Sequence, residues 1–460
     1  MTADLLVLGG GPAGVGAAWR AARAGHSVVL LERAATPGGS AASVEVGGMR
    51  VDLGSHRLHR SIAPEILAEL RALLGDDLQV RPRNGRIRLA GRWLAFPLRP
   101  ADVVCRLPPS FALGAARDAA TAWTRRPRAD TFADVLRARL GPTMCERFYF
   151  PYARKLWGLE PHEISGEQAR RRVSADSAAK IARRVVRGVR PEARTFLYPR
   201  RGYGQICEAL ADGAARAGAD VRFGVAATRV RTSSRGVEVE TSEGERLEAR
   251  RAWSTLPLTA LVRMMEPPPP DAVLDAVAAL EFRAMALVYL VCSTDRYTPF
   301  DAHYLPEEWT PVTRVSEPKN YRDGDDPGGV TVLCAEVPCR RGDATWTAPD
   351  DELGAVAARA LTRAGLPPPP VDDVVVRRIP FVYPVYRVGF EHALDAVDDW
   401  LAGVPNVLTF GRGGSFVHDN AHHALAMAWA AADALEPGGG FDHASWAAAR
   451  ARFAGHVVED

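Results

Sequence analysis

The strongest constraint on the fold of this chain is a glycine-rich turn close to its N-terminus. The continuous apolar run Leu5–Leu8 predicts a buried parallel strand, and it leads directly into that turn. The alanine-rich stretch 15–24 predicts a helix that ends at Gly25, and residues 27–31 predict a second strand. The turn has the spacing G-x-G-x-x-G, with its glycines at Gly9, Gly11 and Gly14. This order of elements indicates the start of a Rossmann-type α/β domain.

Each position of the motif has a physical role in holding a dinucleotide. Gly9 permits a tight turn, Gly11 lets the backbone approach a pyrophosphate, and Gly14 lets the helix pack close to the strand. The free amides and the positive dipole end of the helix favour the phosphates. Glu32 ends the second strand, 18 residues after Gly14, where an acid accepts hydrogen bonds from an adenosine ribose.

Composition excludes several other classes of protein. A chain of 460 residues is long enough for a large core, and its net charge of +3 does not indicate a nucleic-acid partner. Its six cysteines form no C-x-x-C pair, so neither a zinc motif nor a disulfide framework is expected. No leader and no apolar run of about 20 residues is visible, and we therefore expect a cytoplasmic protein without a transmembrane segment.

Three further segments narrow the choice of dinucleotide. They are Thr36-Pro37-Gly38-Gly39-Ser40, Val51-Asp52-Leu53-Gly54-Ser55-His56, and Asn406-Val407-Leu408-Thr409-Phe410-Gly411-Arg412 before a helix predicted at 421–435. Together with the N-terminal turn, this set resembles the superfamily of amine oxidases, phytoene desaturases and UDP-galactopyranose mutases. The resemblance implies an FAD cofactor. The cofactor-binding residues that it implies are Gly9, Gly11, Gly14, Glu32, Arg33, Gly38, Gly39, Ser40, Gly54, Ser55, His56, Val230, Gly411, Arg412 and Ala424.

The resemblance also implies an α/β fold with a discontinuous FAD-binding domain, a helical domain and an antiparallel sheet for the substrate. We expect the FAD-binding domain to combine residues 1–75, 198–262 and 405–460. Residues 76–110 would add a segment to the sheet domain, 111–197 would form the helical domain, and 263–404 would form the substrate domain. Within the second FAD-binding piece, a helix is predicted at 205–217 and a strand at 220–223.

Five short motifs, in the same order along the chain, resemble the mutases in particular. They are Gly54-Ser55-His56-Arg57-Leu58-His59, Tyr152-Ala153-Arg154-Lys155-Leu156-Trp157-Gly158, Thr313-Arg314-Val315-Ser316-Glu317, Tyr383-Pro384-Val385 and Gly411-Arg412. This resemblance implies pyranose–furanose interconversion of a UDP- or GDP-linked hexose. Reduced FAD would form a bond from N5 to the anomeric carbon. Arginine suits the diphosphate, because its planar fork donates two parallel hydrogen bonds.

The resemblance assigns catalytic roles to Arg314, Arg412 and His59. Its candidate substrate-binding residues are Trp157, Arg314, Tyr383, Phe416, His418, Asn420 and His422. One departure stands out, because the mutases carry diphosphate-binding tyrosines after Gly-Arg and this chain has Phe416-Val417-His418-Asp419-Asn420 instead. The chain is therefore expected to be a relative of the mutases that acts on a different nucleotide sugar.

Two histidines in this segment, His418 and His422, are spaced for one helix face. A metalloprotease motif would need a glutamate beside the first histidine, where Asp419 stands, and a zinc site would need a third ligand. We therefore expect no metal here. Asp419 or Asn420 is instead a candidate N-cap of the following helix.

A strongly basic stretch, residues 170–194, has two interpretations. Its nine basic residues outnumber two acids. Such a run is typical of a solvated helix face. It is also suited to an arginine-lined approach for an anionic substrate.

Two other functions stay open at this level. An oxidase or desaturase of the same superfamily would take a hydride from an amine, a porphyrinogen or a polyene, and an apolar tunnel would be expected. A binding protein on the same scaffold, similar to the dissociation inhibitors of prenylated GTPases, would not need FAD. The complete glycine motif with Glu32 disfavours the latter. The oligomeric state is not predicted.

Overall fold

The computed structural model describes residues 2–98, 102, 105–172 and 195–458. The strands are β1 (Ala3–Leu8), β2 (Val28–Glu32), β3 (Ser43–Val46), β4 (Met49–Asp52), β5 (Leu78–Pro82), β6 (Gly85–Leu89), β7 (Arg92–Phe96), β8 (Thr195–Pro199), β9 (Asp220–Phe223), β10 (Ala227–Ser233), β11 (Gly236–Thr241), β12 (Arg246–Ser254), β13 (Met265–Glu266), β14 (Phe282–Cys292), β15 (Ala302–Tyr304), β16 (Arg314–Ser316), β17 (Thr331–Cys339), β18 (Val371–Pro384) and β19 (Val407–Thr409). The helices are α1 (Pro12–Arg23), α2 (Pro64–Leu74), α3 (Pro109–Ala120), α4 (Phe132–Leu140), α5 (Pro142–Met144), α6 (Phe150–Trp157), α7 (Gly166–Arg172), α8 (Gln205–Arg216), α9 (Leu258–Met264), α10 (Asp271–Ala279), α11 (Ala344–Thr347), α12 (Asp350–Arg363), α13 (Phe390–Ala402), α14 (Gly411–Gly414), α15 (Ala421–Asp433) and α16 (His443–Phe453).

The first large sheet has the strand order β13-β10-β11-β12-β1-β2-β9, and β19 pairs with β12 beside this path. Strands β1, β2, β9, β12 and β19 run parallel to one another, whereas β10, β11 and β12 form an antiparallel meander. β1 lies in the middle, and Leu5, Leu6 and Val7 have no exposed surface, as a two-sided buried strand requires. This sheet confirms the predicted Rossmann-type domain. Its parallel strands end at one common edge.

Helices α1, α8 and α15 cover one face of this sheet and form its largest core. Trp19 of α1 packs against Trp429 of α15, with ring centroids 5.6 Å apart, and Leu210 of α8 is fully buried in the same cluster. The predicted helices at 205–217 and 421–435 are confirmed as α8 and α15 within a few residues. The α1 N-terminus is thereby fixed at the edge where the parallel strands end.

The second large sheet has the order β18-β14-β17-β16-β15-β6-β7 and is mainly antiparallel, with one parallel pair between β15 and β6. Helix α12 covers one face. The β3–β4 hairpin covers the other, where Val51 and Met285 share a core cluster. The Tyr289 hydroxyl donates to the carbonyl of Asp52, at 2.7 Å, so the sheet is fastened to the end of β4.

The helical region packs against the end of β18. Leu136, Phe150 and Trp157 form a buried cluster with Val385, directly after that strand. Thr131 begins α4 by accepting a hydrogen bond from the Asp134 amide at 3.2 Å. None of the described helices combines the length and the apolar character needed to span a membrane. The six-segment division of the chain remains a prediction.

A buried histidine makes the second sheet sensitive to acid. Burial lowers the pKa of His303 on β15 to about 4, and its ring is enclosed by Trp93 and Phe300. Unfolded histidine titrates near pH 6.5, so between about pH 6.5 and about 4 only the unfolded chain binds this proton, and acidification favours unfolding. We expect His303→Phe to remove about 3 kcal/mol of the loss in unfolding free energy between pH 7 and pH 4. Urea unfolding at several pH values measures this loss, with the exposed His392→Phe as control. An unchanged pH slope in His303→Phe would contradict it.

Candidate functional site

The glycine turn after β1 has the geometry that a phosphate cradle needs. Gly9 has a φ of +101°, and a Cβ on Gly14 would lie 1.8 Å from the Gly9 carbonyl oxygen, so this helix packs against the turn only with glycine there. No side chain caps the start of α1 and no acid stands in its first turn. The amides at this end are therefore left for an anion. Gly11 faces open space, because a Cβ on it would have its nearest neighbour, the Gly38 carbonyl oxygen, 3.9 Å away.

Glu32 is held in place by the backbone around it. Its carboxylate accepts hydrogen bonds from the Gly10 amide at 2.6 Å and from the Ala34 amide at 2.8 Å, and it is buried. Each oxygen keeps a lone pair for a ribose hydroxyl. Arg33 beside it is exposed.

The Gly38-Gly39-Ser40 segment lies alongside the glycine turn. The Gly38 amide donates to the Gly10 carbonyl at 2.7 Å, and Gly38 and Gly39 have φ values of +123° and +54°. Gly39 faces Gly11, because a Cβ on Gly39 would lie 3.5 Å from the Gly11 Cα. The two glycine segments thus form the two walls of one groove, and partly buried Ser40 follows at its end.

The structure places Val230 away from this groove. Val230 is fully buried in β10, between Val239 of β11 and Met265 of β13. Closer to Glu32, the Val225 amide donates to the Glu32 carbonyl at 3.0 Å, so this amide is also not available to a cofactor. The backbone of Val230 is paired with strands on both sides, so we leave Val230 out of the proposed cofactor site.

The Gly411-Arg412 segment packs at the same edge of the sheet. A Cβ on Gly411 would lie 2.8 Å from the Cβ of Ala13 in α1, and one on Gly414 would lie 2.9 Å from the Ser254 carbonyl oxygen. Both glycines therefore allow this turn to pack on α1 and on the end of β12. Ala424 is buried, and its amide donates within α15 to the Asn420 carbonyl at 3.1 Å, so this amide is not available to a cofactor.

The segment after β4 carries a second group of expected residues. The Ser55 amide donates to Glu336 at 2.9 Å, and the Ser55 hydroxyl lies 2.5 Å from the Tyr321 hydroxyl. His56 stacks on Tyr203 with ring centroids 5.2 Å apart. Burial lowers the pKa of His56, which keeps the imidazole neutral near pH 7. Gly54, with a φ of +101°, provides the turn.

Arg314 on β16 reaches the same segment. It forms a bidentate ion pair with Glu336, at 2.7 and 2.9 Å, and donates to the Ser55 carbonyl at 3.3 Å. Burial lowers the pKa of Arg314, but the charge of Glu336 and nearby tyrosines raise it well above its usual value. Tyr383 is one of these tyrosines.

Arg57 is a second buried cation beside Arg314. Its guanidinium donates to Tyr321 at 3.0 Å and lies 3.2 Å from the Asp301 carboxylate. The Tyr304 hydroxyl accepts from both arginines, at 3.3 and 3.5 Å. Arg57 stood inside a recognised motif but was not singled out, because nothing in the sequence shows that Asp301 would pair with it.

The aromatic residues expected at the substrate form one cluster. Trp157 meets Tyr383 edge to face at 5.5 Å and His418 at 4.9 Å. The Arg412 guanidinium lies over the Tyr383 ring at 4.7 Å, and Arg172 lies 5.1 Å from the same ring. Arg172 is the described end of the basic stretch 170–194; the prediction for residues 173–194 lies outside the described residues.

The two guanidiniums in this cluster lie in a mainly positive environment. Within the described ranges, neither Arg172 nor Arg412 forms an ion pair with a carboxylate. Burial lowers the pKa of Arg412 and the positive charge of Arg172 adds to this effect, whereas Tyr383 and the more distant charge of Asp419 oppose it. Burial and both arginines lower the pKa of His418 well below its usual value, so this imidazole is neutral. The cluster is thus arranged to receive negative charge.

The remaining expected residues are dispersed. His59 lies 2.7 Å from the Ser61 hydroxyl, which in turn lies 3.3 Å from His422. Asn420 caps α15. Phe416 has no exposed surface and packs against Phe282, and we leave it out of the proposed site.

Residues 12–407 match the family described as flavin-containing amine oxidoreductases. The chain belongs to this family. Membership implies FAD as the cofactor, and the groove between the two glycine segments, with Glu32 and the uncapped α1 helix, fits its adenosine diphosphate half. None of the curated proteins matches the chain.

Solved structures of several family members share the fold. A reduced UDP-galactopyranose mutase is 20% identical and has a TM-score of 0.83, with coverage of 100% of this chain and 98% of the other. A putative protoporphyrinogen oxidase from Exiguobacterium sp. is 20% identical, with a TM-score of 0.70 and coverage of 93% and 97%. A putrescine oxidase is 17% identical, with a TM-score of 0.68 and coverage of 94% and 98%. At these identities, the likeness shows the fold alone.

Proposed function

We propose that this flavoprotein interconverts the pyranose and furanose forms of a hexose linked to a nucleoside diphosphate. The observation that carries the proposal is the pair Arg172 and Arg412 on the Tyr383 ring, without acidic partners in the described part of the chain. Two partly buried cations without a carboxylate partner are costly unless a ligand neutralises them. A diphosphate provides that charge and matches the forked donors of arginine.

The same pair disfavours an amine as the substrate. A protonated amine would enter a pocket whose charge already lowers the pKa of both His418 and Arg412. A substrate ammonium group and these two guanidiniums would repel one another strongly inside such a pocket. The likeness over the full chain to a UDP-galactopyranose mutase supports the same choice among the members of the family.

In this proposal, the residues of the chain position and neutralise the substrate. Arg172 and Arg412 bind the diphosphate, and Trp157 and Tyr383 form walls against which the sugar lies. Arg314 is fixed by its ion pair with Glu336 and holds the segment after β4 through the Ser55 carbonyl. Reduced FAD, when bound, would supply the electron pair for exchange at the anomeric carbon, where the nucleoside diphosphate leaves and returns, with no net oxidation of the sugar.

The test of this function is an assay that needs reduced flavin but no net redox change. The purified protein, with FAD confirmed by its visible spectrum, is reduced anaerobically with dithionite and given UDP- and GDP-hexoses. Formation of an isomeric furanose only with reduced enzyme, read by HPLC and proton NMR, is the expected result. If no sugar reacts, and the oxidised enzyme instead consumes oxygen with an amine, a porphyrinogen or a polyene, then the protein is an FAD-dependent oxidoreductase.

A further inference from the structure

The C-terminal end of the described chain ties two parts of the site together. We call residues 454–458 the C-terminal strap; it follows α16. The Val458 amide donates to the Arg171 carbonyl at 2.8 Å, at the end of α7, next to Arg172. Two residues earlier, the Nδ1 atom of His456 lies 3.1 Å from Oδ2 of Asp419, just before α15. The strap therefore joins the end of α7 to the start of α15.

Asp419 lies between two imidazoles in this connection. Its side chain is fully buried, and its other oxygen, Oδ1, lies 3.4 Å from Nδ1 of His423. The His423 and His456 rings stack with centroids 4.1 Å apart. One ligand atom from each of the three residues lies within 4.8 Å of the others. Two imidazole nitrogens and a carboxylate oxygen are the donor set that Zn²⁺ takes in proteins.

The hydrogen bonding around Asp419 leaves one of its buried oxygens without a donor among the described residues. The Asn420 amide donates to Nδ1 of His423 at 3.3 Å, as part of the cap of α15. An imidazole nitrogen has one in-plane lone pair, so Nδ1 must give up this long hydrogen bond when it binds an ion. The neighbouring Oδ1 of Asp419 is buried and accepts no hydrogen bond from the described residues. A buried carboxylate oxygen without a donor is costly, and a bound cation removes that cost.

We propose that Asp419, His423 and His456 bind a zinc ion that fastens the C-terminal strap to α15. With Zn–N and Zn–O bonds of about 2.0–2.2 Å at tetrahedral angles, neighbouring ligand atoms lie roughly 3.3 Å apart. The observed separations of 3.4 and 3.1 Å match this spacing. Because the rings stack, the His456 ring must turn about its Cβ–Cγ bond to bring Nδ1 onto the ion. Water would complete the coordination.

The sequence suggested His418 and His422 as a pair on one helix face, but the fold brings His423 and His456 together instead. His418 is enclosed by Trp157 and Tyr386, and His422 faces Ser61. No third ligand stands near these histidines in the sequence. In the fold, His456 provides it, although it lies 33 residues beyond His423 along the chain. Side-chain exposures of 12% for His423 and 18% for His456 leave the ion a route from solvent.

The test counts zinc on the full-length flavoprotein. The protein is stripped with a chelator, incubated with excess ZnCl₂, desalted, and analysed for zinc by mass spectrometry. Wild type is expected to retain about one zinc per chain, and His456→Ala and Asp419→Asn less than about a tenth of that. His456→Cys is expected to retain zinc, because a thiolate is a zinc ligand but cannot replace the stacked imidazole. His392→Ala, which removes an exposed histidine on α13, is the matched control and retains zinc like wild type.

Zinc content in wild type no higher than in His456→Ala would overturn the proposal. A wild-type zinc content in Asp419→Asn would also overturn it, because the ion would then not be held by this carboxylate. Circular dichroism of each variant shows whether it is folded. Zinc is counted without any substrate, so this result is independent of the sugar assay.

Discussion

Arg412→Ala is expected to lower kcat/KM for the nucleotide sugar by about 100-fold or more, while FAD stays bound and the fold stays intact. Charge-assisted hydrogen bonds are worth about 1.5–3 kcal/mol each, and a guanidinium makes two to a diphosphate. Stability should change by less than about 1 kcal/mol, because the lost contact with Tyr383 is offset by relief of burial and of repulsion from Arg172. Steady-state kinetics and thermal unfolding measure the two effects.

Arg412→Lys tests the shape of the donor. It keeps the charge and loses the fork, so an intermediate kcat/KM is expected. The exposed Arg216→Ala on α8 is the matched control and should match wild type in both measurements. Full turnover in Arg412→Ala would contradict the proposed diphosphate site, and so would a loss of stability without a loss of turnover.

Arg314 serves as a contrast, because its environment differs. Its guanidinium is already paired with Glu336, which is 5% exposed. Truncating Arg314 would leave the buried charge of Glu336 uncompensated, whereas truncating Arg412 leaves no paired carboxylate behind among the described residues. The two arginines were equivalent in the sequence, since each stood in a short motif, and only their neighbours in the fold distinguish them.

The parts of the site that are local in sequence were predictable. Gly9, Gly14 and Glu32 lie within one strand–helix–strand unit, whose geometry is fixed by backbone sterics over fewer than 30 residues. The helices α8 and α15 were predictable for the same reason, because apolar spacing and composition act over short distances.

The parts that depend on contacts between distant segments were not predictable in detail. Val230 was expected at the cofactor but lies inside the first sheet, between β11 and β13. Phe416 was expected at the substrate but lies in the core, where an aromatic cluster from α13 and β14 encloses it. Such outcomes are set by tertiary packing, which residue types at one position do not encode.

The second large effect is expected at the glycine turn: Gly14→Ala should lose most of its bound flavin. A Cβ there would lie 1.8 Å from the Gly9 carbonyl oxygen and 3.2 Å from the Thr255 hydroxyl oxygen. The first of these is backbone in the middle of the turn, so it cannot rotate away as a side chain can, and α1 must move off β1. The amides that would hold the pyrophosphate move with it.

We expect the flavin content of Gly14→Ala to fall about 10-fold or more, measured as visible absorbance per chain after purification with added FAD. Two control variants distinguish damage to the FAD-binding groove from a general loss of stability. Gly328→Ala has open space and an ordinary backbone angle, and should bind FAD like wild type. Gly16→Ala contacts the Trp429 ring, 2.8 Å from the added Cβ, and should lower stability by about 1–3 kcal/mol while retaining FAD. A Gly14→Ala protein with a full complement of flavin would show that the cofactor does not depend on this turn.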